Sequence, residues 1–138
     1  KQAGGESFEF IEEPFKNPFD PEAKKVASVS AIPLIADESF QNENDLPGLK
    51  EIFHGINIKL DKCGGLTPAL GILQKAKDLG LKTLIGCMSC SGIGLRPSIA
   101  LAGACDFVDL DAVLLIRGDT HGVYYKEGVV NFDPNSAH

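Results

Sequence analysis

The sequence has no apolar run approaching the roughly 18–20 residues that cross a bilayer. Its opening residues, Lys1-Gln2-Ala3-Gly4-Gly5-Glu6, lack the apolar stretch of a secretory signal. A cytoplasmic protein with no membrane partner is the expectation. Clustered basic charge is missing too: 13 Lys and Arg are scattered among 19 Asp and Glu, for a net charge of −6. Phosphate binding needs grouped cations, so this argues against a nucleic-acid partner, and a metal ion or a cationic ligand group fits better. Methionine occurs once, at Met88, from which we expect further sequence upstream of Lys1. Of the four cysteines, Cys87 and Cys90 have CxxC spacing, but Cys63 and Cys105 do not make the second pair that a structural zinc site needs. Nor does the pair follow the first strand of a βαβ unit, as a thioredoxin-type site requires, so the cysteines read as buried thiols in a reducing compartment. There is no linker, low-complexity stretch or charge run.

What is present is the composition of a folded globular chain, 43% hydrophobic and 23% charged over 138 residues. Short apolar runs alternate with capped helical segments. The spacing predicts strands at Phe8–Ile11, Pro33–Ala36, Ile56–Leu60, around Leu84-Ile85, and at Asp106–Leu110. Between them, Asp20-Pro21 opens a helix through about Ser28, since Asp caps and Pro suits the first turn. Asp45-Leu46-Pro47 opens a second, which Gly55 is expected to end in a left-handed cap, and Thr67-Pro68 a third, stopped by Gly80. A fourth is expected from near Pro97 through Ala104. The result is an α/β fold of four βα units plus a fifth strand, parallel in one sheet. After Asp111 the pattern changes: Val113–Ile116, a turn around 118–122, Val123–Tyr125 and Val129-Val130 read as antiparallel hairpins. We therefore expect a partial (β/α) barrel over residues 1–112 and a strand or hairpin extension over 113–138, well short of the roughly 250 residues of a complete barrel.

Each expected strand ends in a polar or glycine position: Glu12, Asp37, Lys59, Gly86 and Asp109. In parallel βα architecture these positions fall on one rim, where barrel enzymes keep their catalytic groups. A single carboxylate after a strand is ordinarily a helix cap or a solvated loop residue. Four ionisable groups at the same station are less easily explained that way. Two carboxylates from adjacent strands supply the hard oxygen ligands that Mg²⁺ prefers, and a partly buried lysine beside a cation is disfavoured as ammonium, as a base requires.

Ile11-Glu12-Glu13-Pro14, Ala36-Asp37-Glu38-Ser39, Asn57-Ile58-Lys59-Leu60-Asp61-Lys62-Cys63-Gly64-Gly65, Gly86-Cys87-Met88 and Asp109-Leu110-Asp111 occur in this order. In that respect the chain resembles the muconate-lactonizing and dipeptide-epimerase branch of the enolase superfamily over nearly its whole length. The resemblance implies the C-terminal half of a TIM-type barrel. It also implies Glu12 and Asp37 as Mg²⁺ ligands, Lys59 as one of two lysines flanking the substrate α-carbon, and Asp109 and Asp111 as holders of a dipeptide's ammonium group. The reaction it implies is 1,1-proton transfer α to a carboxylate, through an enediolate that the metal stabilises. Cycloisomerases, dehydratases and N-succinylamino-acid racemases use similar ligands, and a non-catalytic α/β ligand-binding module is the alternative from another class.

The family's Lys-x-Lys and third metal ligand, an Asp, would fall before Lys1, as would its capping domain. Cys90 stands where many members carry a carboxylate, and Ala112 where a glycine is common. We therefore expect little activity from the 138-residue chain alone. Because a half barrel leaves two strand edges unpaired, we also expect a homo-oligomer or pairing with a missing half.

Among other residues, Gly92-Ile93-Gly94 lacks the third glycine of a dinucleotide fingerprint and is expected to serve close backbone approach. His54, placed where an imidazolium suits a helix end, and His121 are expected to be structural. Glu13 and Glu38 should point away from the rim by alternation, and Lys62 reads as a solvent-facing or supporting lysine.

Overall fold

Five short strands line up in chain order in the computed structural model, which describes residues 8–117 and 121–136. β1 (Ile11–Glu12), β2 (Leu34–Ala36), β3 (Gly55–Lys59), β4 (Lys82–Gly86) and β5 (Phe107–Val108) pair in parallel, each with the next. Helices cross between them: α1 (Pro21–Val29), α2 (Leu46–Leu49), the single turn α3 (Leu60–Cys63) running into α4 (Leu66–Asp78), and α5 (Gly92–Ala102). α1 starts as its sequence dictates, with the Asp20 carboxylate accepting the Glu22 N–H at 2.9 Å. No helix among the described residues is long and apolar enough to cross a membrane.

Register decides what each face carries. Glu12 lies opposite Ile35, Ile35 opposite Gly55, and Lys59 opposite Gly86. With side chains alternating, Glu12, Asp37, Asn57, Lys59 and Gly86 share the concave face. At the other end of that face the Phe10 and Phe107 rings meet with centroids 4.9 Å apart, although they belong to opposite edges of the sheet. The sheet is therefore curled into a half barrel whose interior is filled by side chains. Its convex face, with Ile56, Ile58 and Ile85 buried, packs on Ala69, Ile72, Leu73 and Ala76 of α4. Each such aliphatic burial contributes about 1.5–3 kcal/mol. Among the described residues β1 and β5 each have one unpaired edge, and Ile11 and Val108 on these strands are exposed.

Several expectations change. Gly55 does not cap a helix but begins β3. A Cβ there would stand 2.5 Å from the Lys82 carbonyl oxygen and 2.6 Å from Ile35 Cδ1, so close approach of strands and not handedness requires glycine. α5 begins at Gly92, five residues before the expected start, and holds Pro97 inside it. Burial of Leu95, Ser98 and Leu101 along one side offsets the backbone bond that proline cannot make. Ala112–Leu115 is a 3₁₀ turn, not a strand: the run has no alternation, and only Ala112 and Val113 are buried. The expected 118–122 turn lies partly outside the described residues. The hairpin beyond it forms as expected, with β6 (Val123–Lys126) antiparallel to β7 (Val129–Phe132).

Candidate functional site

Glu12 closes β1, Asp37 directly follows β2 and Lys59 closes β3, so three adjacent strands deliver their last polar side chains to one rim. Asp37 is 6% exposed. Lys59 Nζ donates to its Oδ2 at 2.5 Å, and Lys62 Nζ to its Oδ1 at 2.5 Å and to its backbone carbonyl at 2.7 Å. Glu12 Oε1 accepts the Asn57 amide at 2.6 Å. Burial pushes the Glu12 carboxyl above the ordinary carboxylate range; Asn57 opposes this and the Asp37 charge adds to it. Burial would also raise Asp37, but its bonds to Lys59 and Lys62 prevail and hold it low. Lys59 is held above its ordinary value, burial being outweighed by Asp37 and Glu12. It is therefore an ammonium ion in this arrangement.

The donor set suits a divalent cation in kind. Two carboxylates from neighbouring strands lie close enough for one to raise the pKa of the other, a repulsion that a hard cation relieves. Among the described residues, no group of three or more His, Cys, Asp and Glu forms a metal-holding cluster, so this pair offers part of a coordination shell.

Asp109 and Asp111 stand farther round the rim. Asp109 follows β5, its N–H bonded to the Ile85 carbonyl at 3.0 Å. Burial first, then the charge of Asp111, raises its carboxyl, while Lys59 pulls the other way. Both aspartates border a cleft of about 670 Å³ whose walls are mainly apolar, including Leu114, Val129 and Val130. Of the sequence candidates, then, Glu12, Asp37 and Lys59 come together, whereas Asp109 and Asp111 form a second acidic group, of which Asp109 lies within electrostatic reach of Lys59.

Four supporting residues were not anticipated. Asn57, 2% exposed, is a polar residue inside the run Ile56-Asn57-Ile58 and two positions from Lys59, a signal that alternation alone provides. Its amide lies over Gly86, where an added Cβ would be 2.5 Å from Oδ1. Glu13 does not point away: its carboxylate accepts the Asp37 N–H at 2.8 Å, the Ser39 N–H at 3.2 Å and the Ser39 hydroxyl at 2.6 Å. The Tyr125 hydroxyl donates to the Leu110 carbonyl, pinning the hairpin between the two aspartates; neither this bond nor Ser39 has a sequence signal. Lys62 is a supporting lysine as expected. His54 accepts the Leu34 N–H at Nδ1 (3.1 Å), so it ties the segment before β3 to the start of β2 instead of serving a helix end. All four cysteines are free and half-buried, and burial pushes their thiols up, away from reactive thiolate.

Comparison with known proteins places the chain as a whole. An L-Ala-D/L-amino acid epimerase from Flavobacterium johnsoniae is 43% identical over 125 residues, which are 90% of this chain and 37% of that protein. The chain thus spans little more than a third of that relative. An enolase family member from Agrobacterium tumefaciens with homology to dipeptide epimerases, solved with sodium and L-Ala-L-Glu, superposes with a TM-score of 0.78 at 35% identity. The match covers 92% of this chain and 38% of that one. A dipeptide epimerase from Cytophaga hutchinsonii, solved with Mg and D-Ala-L-Val, gives a TM-score of 0.77 at 26% identity over 88% of this chain and 35% of that one. Residues 3–132 match the family model described as enolase C-terminal domain-like, and the chain belongs to that family.

Proposed function

We propose that this chain carries part of the active site of a Mg²⁺-dependent dipeptide epimerase, an isomerase that inverts the carbon α to a carboxylate. The observation that carries the reading is the meeting of Glu12, Asp37 and Lys59 at the ends of three adjacent parallel strands. Similarity to epimerases and to two enolase-family structures solved with dipeptides, one of them a dipeptide epimerase, supports the substrate class. Glu12 and Asp37 would hold the ion. When bound, it supplies positive charge where the substrate carboxylate gains negative charge. Lys59 moves a proton at the α-carbon: the carboxylates that now engage its ammonium are those the cation would neutralise, which frees the amine to face substrate. Asp109 and Asp111 receive the substrate's ammonium group, and the mainly apolar cleft beside them offers room for a substrate side chain.

Glu12 and Asp37 supply only part of a ligand shell, and the remainder would come from another segment or chain, so the 138 residues alone should turn over little dipeptide. The unpaired edges of β1 and β5, with Ile11 and Val108 exposed, support pairing with that remainder or with a second copy. Four free thiols are what a reducing compartment maintains, which supports a cytoplasmic location. The test is paramagnetic: Mn²⁺ added to isotopically labelled chain should broaden the amide signals around Glu12 and Asp37 first. That selectivity should vanish in Glu12→Gln and Asp37→Asn; broadening that ignores these residues refutes the cation assignment.

A further inference from the structure

Glu13 takes no part in the chemistry above, yet its backbone sits at φ +38°, in the left-handed region. Few residues other than glycine adopt that region, and the following Pro14 favours an extended conformation instead. Such a conformation persists only where its surroundings fix it, and it clusters at functional sites. Here the backbone N–H is held by the Ile35 carbonyl at 2.9 Å, and the side chain by three donors. All three belong to the exit of the next strand: the N–H of Asp37 itself, and Ser39 through both its N–H and its hydroxyl. One residue beyond Glu12, therefore, a carboxylate grips the backbone of Asp37, and every bond it accepts crosses from the end of β1 to the end of β2. The Glu12 and Asp37 carboxylates take no part in this clamp: Glu12 accepts from Asn57, and Asp37 from Lys59 and Lys62.

We infer that Glu13 is a positioning residue that fixes the separation of Glu12 and Asp37, so that the two present their oxygens to one cation. This rests on the reading that Glu12 and Asp37 hold that cation. The strained turn and the clamp work together: the left-handed bend brings the Glu13 side chain back across the strand gap, where strict alternation would have sent it to the other face. Removing the side chain should let the two strand ends separate while the sheet below, held by its own ladder, stays paired.

Two variants separate the clamp from the strain. Glu13→Gly removes the clamp and also relieves the backbone, so global stability should change little. Glu13→Gln keeps an oxygen for the two N–H groups and an amide for the Ser39 hydroxyl, so it should restore much of the function. In a Mn²⁺ titration followed by electron paramagnetic resonance, Glu13→Gly should weaken binding by about tenfold, the lower end of what loss of a ligand-supporting contact costs. Glu13→Gln should recover most of that loss. In hydrogen exchange, the Asp37 and Ser39 amides should lose protection in Glu13→Gly while β4 amides keep theirs. Wild-type Mn²⁺ binding that survives Glu13→Gly unchanged overturns this inference alone, as does a uniform loss of protection across the sheet. A wild-type chain that binds no Mn²⁺ overturns the cation reading and this inference together.

Discussion

Gly86→Ala tests whether the interior of the half barrel is built as described. The added methyl would stand 2.5 Å from Asn57 Oδ1, 2.8 Å from Nδ2 and 3.0 Å from Cγ. Those atoms belong to a side chain 2% exposed, so the amide cannot swing into solvent. It must rotate within the core, and rotation breaks its 2.6 Å bond to Glu12. Overpacking of this kind costs about 1–3 kcal/mol, and a hydrogen bond to a charged group is worth about 1.5–3 kcal/mol. The two overlap, because moving Asn57 relieves the clash, so a net loss of about 2–4 kcal/mol is expected. Urea unfolding followed by circular dichroism measures it. Asn57→Ala should also destabilise, but in the double variant the new methyl occupies the vacated space, so the combined cost should fall short of the sum by about 1 kcal/mol or more. A Gly86→Ala chain as stable as wild type, or strict additivity with Asn57→Ala, refutes the reasoning.

Gly55→Ala should be worse, because the methyl would meet the Lys82 carbonyl at 2.5 Å, backbone that cannot yield without parting β3 from β4. A loss of about 3 kcal/mol or more in the same unfolding assay, or no soluble folded chain, is expected; a loss under about 1 kcal/mol contradicts it. At the same end of β4, the Asp106 carboxylate accepts the Thr83 N–H at 2.8 Å and its hydroxyl at 3.0 Å. Burial would raise this carboxyl, but the two Thr83 bonds prevail and hold it below its ordinary value. Because the folded value is depressed, the stabilisation is complete above the unfolded value of about 3.9 and is lost as pH falls through the folded one. Asp106→Asn should therefore cost about 1 kcal/mol near neutrality, a modest figure because the side chain is largely screened by solvent. The cost should shrink progressively below about pH 4, and a difference that is constant between neutral and acid pH contradicts the assignment.

The rim was legible because its signal is one-dimensional. An apolar run followed by Glu12, Asp37 or Lys59 marks both a strand and its end, and parallel βα units then bring those ends together. The supporting residues were not legible for the opposite reason. Glu13 reaches Asp37 only because its backbone takes a left-handed turn that alternation does not anticipate. Asn57 acts through a contact with Gly86, 29 positions away in the chain, where only the strand pairing shows the need for glycine. Local signals also misled where packing overrode them. Pro97 looked like a helix start but lies within α5, whose buried side begins at Gly92, and Gly55 looked like a cap but begins β3, where a Cβ would run into the Lys82 carbonyl and Ile35. Val113–Ile116 was apolar enough for a strand, but the 3₁₀ turn there buries only Ala112 and Val113.

A crystal of the chain soaked with Mn²⁺ and measured at the manganese absorption edge tests the central claim most directly. The account predicts an anomalous peak between the Glu12 and Asp37 carboxylates, with the Lys59 ammonium displaced from Asp37. A peak elsewhere, or Glu12 and Asp37 turned apart with no ion between them, would contradict it.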